Sequence, residues 1–250
     1  MASRSNEHGQ PIGLPVSGWA GARPPVREVI EGVHCRLEPL DTDRHAAALF
    51  RAYAADPQGA NWTYLPYGPF PTLDAYRDWL LEKQRSSEEC FFAIVDPRSR
   101  APIGVAAYLR IAPTTGSIEI GHLSYSPALQ RTIASTEAMF LMMRRVFDDW
   151  GYRRYEWKCD RLNAPSRAAA TRLGFRYEGV FRKLMVVKGR NRDTAWFSIV
   201  DDEWPAIRGA FEAWLAPGNF DAEGRQRRRL ESFMPMTAGR PIVADAPEID

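Results

Sequence analysis

The chain reads as an α+β (α/β) protein, and three observations carry that reading. Strand-like and helix-like hydrophobic patterns alternate between about residues 33 and 214. A short Ala-rich helix, opened by Asn163-Ala-Pro-Ser166, stops at Gly174 and feeds directly into a strand beginning at Phe175. A strand, turn and helix start follow one another from Glu119 to Glu137. The 250 residues suit one large domain with extensions, and 45% apolar residues are enough for a real core. The formal net charge of +2 provides no field strong enough to draw the whole molecule onto nucleic acid or membrane. Cys35, Cys90 and Cys159 are odd in number and widely spaced, which gives neither a disulfide framework nor a zinc pattern and fits a reducing cytoplasm. No stretch approaches the roughly 18–20 apolar residues of a membrane span, and residues 1–30 lack the apolar run of a signal peptide.

Along the chain, residues 1–32 form a Gly-, Pro- and Ser-rich arm, and residues 217–250 a similar tail that packs through Leu230 and Phe233 or hangs loose. The body, 33–216, opens with a strand over Val33–Leu37. Asp41 or Thr42 caps a helix whose Ala46, Leu49, Phe50 and Tyr53 share a face. A Pro- and aromatic-rich loop, Asn61 to Pro71, leads to a helix starting at Thr72 with Leu73, Tyr76, Trp79 and Leu80 as its stripe. Strands follow at Phe91–Val95, Ile103–Ile111 and Ile118–Tyr125, separated by turns at 96–101 and 113–116. The central helix spans about Ser135 to Trp150. Its apolar positions Met139, Met143, Val146 and Phe147, widened by Phe140 and Met142, predict cover on much of its circumference. After Gly151 come a buried strand at Tyr155–Cys159 and the capped helix. Strands at Phe175–Val187 and Thr194–Val200 surround a turn at 188–192, and a last helix near Asp202 uses Trp204, Ile207, Phe211 and Trp214.

The two segments 119–137 and 163–179, the latter with its Leu173-Gly174-Phe175 and Tyr177-Glu178-Gly179, together resemble the acyl-CoA-binding core of the GNAT N-acyltransferase superfamily, and within it the branch of ribosomal-protein-alanine acetyltransferases. The resemblance covers about residues 33–201. It implies a mixed, mostly antiparallel central sheet, splayed at the cofactor site and flanked by helices. It implies an acetyl-CoA-dependent N-acetyltransferase without a metal, moving an acetyl group to a primary amine of a small molecule or a peptide. Homodimers are common in the family. The other readings are a non-catalytic CoA- or ligand-binding module on the same fold, and nucleic-acid binding through Arg225 and Arg227-Arg228-Arg229, a run too short to outweigh a solvated surface. The glycine spacing of a dinucleotide fold is absent, as are the motifs of P-loop, zinc-peptidase and serine-hydrolase sites.

Residue by residue, Gln130, Arg131, Thr132, Ile133, Ala134 and Ser135 lie between a strand and the long helix, where unpaired first-turn amides and the helix dipole favour a diphosphate. The family's pattern has glycines here. This chain has Ile133 and Ser135 instead, with Arg131 available for a charge-assisted contact. Asn163 caps its helix and, by the resemblance, lies beside the pantetheine arm. Many relatives supply the leaving thiol's proton from a Tyr five residues before the Phe of Leu-Gly-Phe. Here that residue is Ala170, and Ser166 matches the substitute position; its other reading is a second capping hydroxyl. For the base, Glu119 is the first candidate and His122 the second. Period-two alternation puts them on opposite faces, with Glu119 sharing its face with Gly121 and Leu123. Backbone amides of Leu123 or Ser124 are the donors to the thioester oxygen. Trp62, Tyr64, Tyr67 and Phe70 either shape the acceptor pocket or form core under a Pro-rich loop. By the resemblance, Asp193 stands at a position where a polar contact orients a loop or a substrate.

Overall fold

The computed structural model describes residues 4–236 and Ala238. A small hairpin of β1 (Arg4–Ser5) and β2 (Pro11–Ile12) lies in the N-terminal arm. The rest is organised by one eight-stranded sheet. In chain order its strands are β3 (Ile30–Glu31), β4 (Arg36–Pro39), β5 (Cys90–Val95), β6 (Pro102–Ala112), β7 (Ser117–Tyr125), β8 (Arg154–Asp160), β9 (Arg176–Val187) and β10 (Arg190–Val200), and in space they lie β3-β4-β5-β6-β7-β8-β10-β9. Every pairing is antiparallel except β7 with β8, which is parallel and extends only over Ser117–Ile120 against Arg154–Trp157. Beyond that stretch the two strands part. The splay is therefore a register fact: the last residues of β7 and β8 have no partner across the gap.

Alternation along the strands separates two cores. Phe91, Ala93, Val105 and Ala107 face α1 (Thr42–Tyr53) and α2 (Leu73–Arg85), where they meet Leu49, Tyr53, Tyr76 and Leu80. Phe92, Tyr108, Ile120, Tyr155 and Trp157 face the opposite side, with α3 (Ile133–Arg144), α4 (Ala164–Arg172) and α5 (Trp204–Leu215). Each of α1 to α4 begins at a side-chain cap: Asp41 on Arg44 N, Thr72 on Ala75 N, Thr132 on Ser135 N and Asn163 on Ser166 N. Such a cap stabilises a helix by about 1 kcal/mol. α3 is buried on every side from Thr136 to Met143, as its broad apolar stripe predicts. It starts at Ile133, because Thr132 rather than Ser135 supplies the cap, and its end widens into a π-helical turn over Arg145–Asp149. Gly174 ends α4 with a φ of 95°, a left-handed turn that favours glycine, and a Cβ there would also press on Ile207 at 3.3 Å.

Two strand starts differ from the sequence expectation by three residues or more. The first strand of the body begins at Arg36, not Val33, because the amides of Val33, His34 and Cys35 all turn to the buried carboxylate of Glu137 on α3 at 2.9, 2.6 and 2.9 Å. β10 begins at Arg190, because the hairpin turns tightly at Lys188-Gly189. A register shift between Arg192 and Thr194 follows, where Asp193 accepts from Lys183 N and Asn191 Nδ2 and so holds the bulge. The segment after α5 folds back on the body: Leu230 is fully buried, and Arg228 lies over the Phe233 ring. Among the described residues no helix is long and apolar enough to cross a membrane.

Candidate active site

A cavity of about 1700 Å³ opens where β7 and β8 part. The start of α3 forms one wall through Gln130, Arg131, Thr132, Ile133 and Ser135. The start of α4 forms another through Asn163, Pro165 and Ser166. Glu119, His122 and Leu123 of β7 and Trp157 and Lys158 of β8 line its centre, with Asn61 and Tyr64 of the aromatic loop opposite. Ser124 and Ala134 are not on its wall. The C-terminal segment, which sequence reasoning treated only as a tail, closes the far end with Phe220, Gly224 and Gln226.

The helix start suits an anion. The first-turn amides of Ile133 and Ala134 have no partner among the described residues, since an α-helix leaves them unpaired and the Thr132 hydroxyl caps only Ser135 N at 3.1 Å. Arg131 just ahead has a φ of 60°, the left-handed turn that fans successive amides into a concave nest. Its guanidinium has no ion pair or hydrogen bond among the described residues. Ile133 packs partly against the core rather than standing wholly in the cavity. The orphaned amides and the free cation together fit a diphosphate.

The strand β7 departs from strict alternation. Val105 pairs with Ser124 and Ala107 with Gly121, so β7 carries one extra residue there, and His122 has a φ of 51°. The bulge shifts the period by one. Glu119, Gly121 and His122 consequently share a side, while Leu123 turns to the α3 side with Ile120. The expectation that Glu119 and His122 lie on opposite faces, with Leu123 beside Glu119, is therefore corrected, and both candidate bases line the same cavity. Ser124 is fully buried; its carbonyl accepts from Tyr53 Oη at 2.8 Å and its hydroxyl meets Asn61 Nδ2 at 2.8 Å.

The two candidate bases differ in what they have free. Glu119 Oε2 receives both Arg110 Nη1 at 2.6 Å and Lys158 Nζ at 2.8 Å. Its Oε1 lies on the Gly121 side, where only a missing side chain keeps room: a Cβ on Gly121 would meet Leu109 at 2.8 Å. The ring nitrogens of His122 are both engaged, Nδ1 with Tyr67 Oη at 2.9 Å and Nε2 with Glu89 Oε1 at 2.8 Å. The His122 contact holds the Glu89 carboxyl down to about 2, against the opposing pull of burial and with help from Lys83 at 3.2 Å.

Ser166 Oγ lies 3.0 Å from Trp157 Nε1. An indole N–H can only donate, so the serine oxygen accepts, and its own proton has the Cys159 thiol as a neighbouring acceptor. Ala170, at the position where many relatives carry a Tyr, is fully buried and offers nothing to the cavity. Of the aromatic loop, Tyr64 lines the cavity and donates its hydroxyl to the Leu162 carbonyl at 3.1 Å. Trp62, Tyr67 and Phe70 pack edge-on and stacked behind it, in the α1–α2 core. They shape the site from the second rank, and Tyr67 reaches it only through His122. Sequence reasoning missed Lys158, Arg110, Glu89 and Arg192. The signal for Lys158 was present: Arg154, Glu156 and Lys158 alternate with Tyr155, Trp157 and Cys159. Arg225 pairs with Asp221 and Glu223. Among the described residues no group of three or more His, Cys, Asp and Glu is placed to hold a metal ion.

A parallel pair that splays between antiparallel neighbours, with a helix N-terminus at the opening, defines an acyltransferase type of fold. The comparisons agree. The family model described as an acetyltransferase (GNAT) domain matches residues 34–176, and the chain belongs to the GNAT acetyltransferase family. It is similar to the crystal structure of a GCN5-related N-acetyltransferase from Brucella melitensis, with 47% identity over 87% of this chain and 99% of that one and a TM-score of 0.85. A chain described as a probable acetyltransferase (GNAT family) from Chromobacterium violaceum ATCC 12472 shares 44% identity over 79% of this chain and 98% of that one, with a TM-score of 0.74. A ribosomal L7/L12 alpha-N-protein acetyltransferase is 18% identical over 69% of this chain and 94% of that one, with a TM-score of 0.60, a likeness of fold. No curated protein matches the sequence.

Proposed function

We propose that this acetyltransferase uses acetyl-CoA and moves the acetyl group directly to a primary amine, of a small molecule or a peptide N-terminus. The observation that carries the reading is the convergence on one cavity of the parted β7 and β8, the unpaired amides at the start of α3 and the cap of α4. When bound, acetyl-CoA supplies the thioester carbonyl that the amine attacks and the thiolate that leaves.

The chain's own residues then divide the work. Ile133 offers its amide, and Arg131 its guanidinium, to the diphosphate. Asn163, at the mouth of α4, borders the path of the pantetheine arm. Leu123, on the wall beyond the last pairing with β8, offers its amide to the thioester oxygen. Glu119 is the base, acting from Oε1 through a water, because both of its cations bear on Oε2. His122 is less suited to that step, since neither ring nitrogen is free. Ser166 would supply the leaving sulfur's proton from its hydroxyl, turning it away from the neighbouring Cys159. Tyr64 and Asn61 border the acceptor.

The test is thiol release from acetyl-CoA with a panel of amines, together with calorimetry of acetyl-CoA. Amine-dependent thiol release with micromolar binding supports the reading. Tight binding without transfer to any amine would reduce the site to a cofactor-binding one.

A further inference from the structure

One stretch of the cavity wall carries an arginine that has no ion pair among the described residues. Arg192, on β10, lines the cavity together with Met185, Lys158, Asp160, Asn163 and Ser166. Arg167, in the second turn of α4, lies close by: both arginines are near enough to Cys159 for their charges to oppose burial, which pushes that thiol up to about 11. The Nε atoms of Arg167 and Arg192 are both buried and have no hydrogen-bond partner. Neither guanidinium has an ion pair among the described residues. Their neighbours contrast sharply. Arg110 is on Glu119, Lys158 is on Glu119 and Glu156, and Arg154 is on Glu156 and Glu178. The nearest acids by chain position are otherwise engaged: Asp193, next to Arg192, spends Oδ1 on Lys183 N and Asn191 Nδ2, and Asp160, ahead of Arg167, spends Oδ1 on Leu162 N at 2.8 Å.

Two like charges held together, each with a buried donor unsatisfied, are costly unless something anionic completes them. The backbone holds them there. Thr194 pairs with Asp160, and Arg161 N donates to the Asp193 carbonyl at 2.9 Å, so the Arg192 segment is strapped to the β8–α4 connection. The positive end of the α4 dipole adds to the same field. The β9–β10 hairpin meets the aromatic loop where Lys188 Nζ donates to the Trp62 carbonyl at 2.7 Å, and the loop is tied to the β8–α4 connection where Tyr64 Oη donates to the Leu162 carbonyl. None of those elements contributes to the first turn of α3, where the diphosphate is placed.

We infer that the acceptor amine carries an anionic group, a carboxylate in the first instance, and that Arg192, backed by Arg167, receives it. The inference rests on the acetyl-transfer reading and narrows its acceptor class: amino acids, or peptides with an acidic residue near the amino end, over neutral amines. An arginine suits the role because its fork can donate two parallel hydrogen bonds to a carboxylate.

The test compares acceptors in pairs that differ only in the charge, such as an amino acid and its carboxamide, with wild type, Arg192→Gln, Arg192→Lys and Arg167→Gln. The expected result is a preference of about tenfold or more in kcat/KM for the carboxylate member in wild type, carried by KM. It should be abolished in Arg192→Gln, partly kept in Arg192→Lys and reduced in Arg167→Gln. Acetyl-CoA affinity by calorimetry should stay within about twofold throughout. Equal kcat/KM for both members of each pair in wild type overturns the inference while leaving acetyl transfer intact. A comparable loss of acetyl-CoA affinity in Arg192→Gln also overturns it, by giving the arginine to a cofactor phosphate. If no amine is acetylated at all, the transfer reading is what fails. Calorimetric binding of the free carboxylate acceptor then decides the inference: binding lost in Arg192→Gln upholds it, and binding unchanged or absent in wild type ends it.

Discussion

Lys158 Nζ lies 2.8 Å from Glu119 Oε2 and 2.7 Å from Glu156 Oε2, with the Lys158 and Glu119 side chains each only 4% exposed. The ammonium also sits 3.7 Å from the centroid of the Trp196 ring. A lysine so far from water is tolerable only because its charge is matched on both sides and faces the negative face of an indole. The ladder continues outward from Glu156 through Arg154 to Glu178, whose Oε1 also accepts from Ser198 Oγ at 2.6 Å. Strands β7, β8 and β9 are thus tied by charge on the face away from α3, with β10 joined through Ser198 and the Trp196 ring, and the proposed base is the inner end of that tie.

Glu119→Gln should lower turnover by about a hundredfold or more while leaving acetyl-CoA affinity within about twofold, because an amide cannot take the amine's proton. Steady-state kinetics and calorimetry check the two halves separately. Removing the cation instead is a stability experiment. Lys158→Met leaves Glu119 and Glu156 buried with fewer partners, and should cost about 3–5 kcal/mol in denaturant unfolding.

Arg131→Ala should weaken acetyl-CoA binding by about tenfold, the usual worth of one charge-assisted contact to a phosphate. The fold should be unaffected, since the side chain makes no ion pair or hydrogen bond among the described residues. Calorimetry with acetyl-CoA reads the first statement, and the thermal midpoint the second. Unchanged affinity would remove the start of α3 as the diphosphate site.

The Glu89 carboxyl titrates at about 2 in the folded protein against an ordinary 4.5, mainly because of its bond to His122. A depressed acid stabilises the folded state above the ordinary value, and that contribution is lost as the pH falls from 4.5 toward 2. Glu89→Gln should therefore cost stability on the order of 2–3 kcal/mol at pH 6. The gap from wild type should close by about pH 2–3. Urea titrations of both proteins at several pH values give the curve, and a pH-independent gap would contradict it.

Glu137→Ala should be among the most destabilising changes on α3, by about 3 kcal/mol or more. It strands the amides of Val33, His34 and Cys35, which have this one carboxylate as their acceptor. Gly32→Ala should also destabilise, because its Cβ would stand 2.6 Å from Glu137 Oε2. Both are read as shifts in the denaturant midpoint.

Much of this architecture was legible in the residues because the signals are local. Caps at Asp41, Thr72 and Asn163, the glycine stop at 174, the apolar periodicity of α1, α2, α3 and α5, and the strand–turn–helix at 119–137 each depend on neighbours within a turn or two of the chain. The same locality marked the loop before α3 and the cap of α4, which the fold brings to the wall of one cavity. Nothing local announced that the aromatic loop divides, with Tyr64 facing the cavity and Trp62 and Phe70 behind it.

The rest depended on which strands lie side by side. The bulge at His122 follows from the pairing of β7 with β6, and it brings Glu119 and His122 to one side, against simple alternation. The splay follows from where the pairing of β7 with β8 stops. The partners of Lys158 and the isolation of Arg192 are matters of register between strands distant in sequence. Local propensity chooses the elements. Register, a long-range quantity set by the packing of two cores against one sheet, chooses which side chains meet, and in this enzyme the chemistry lies in those meetings.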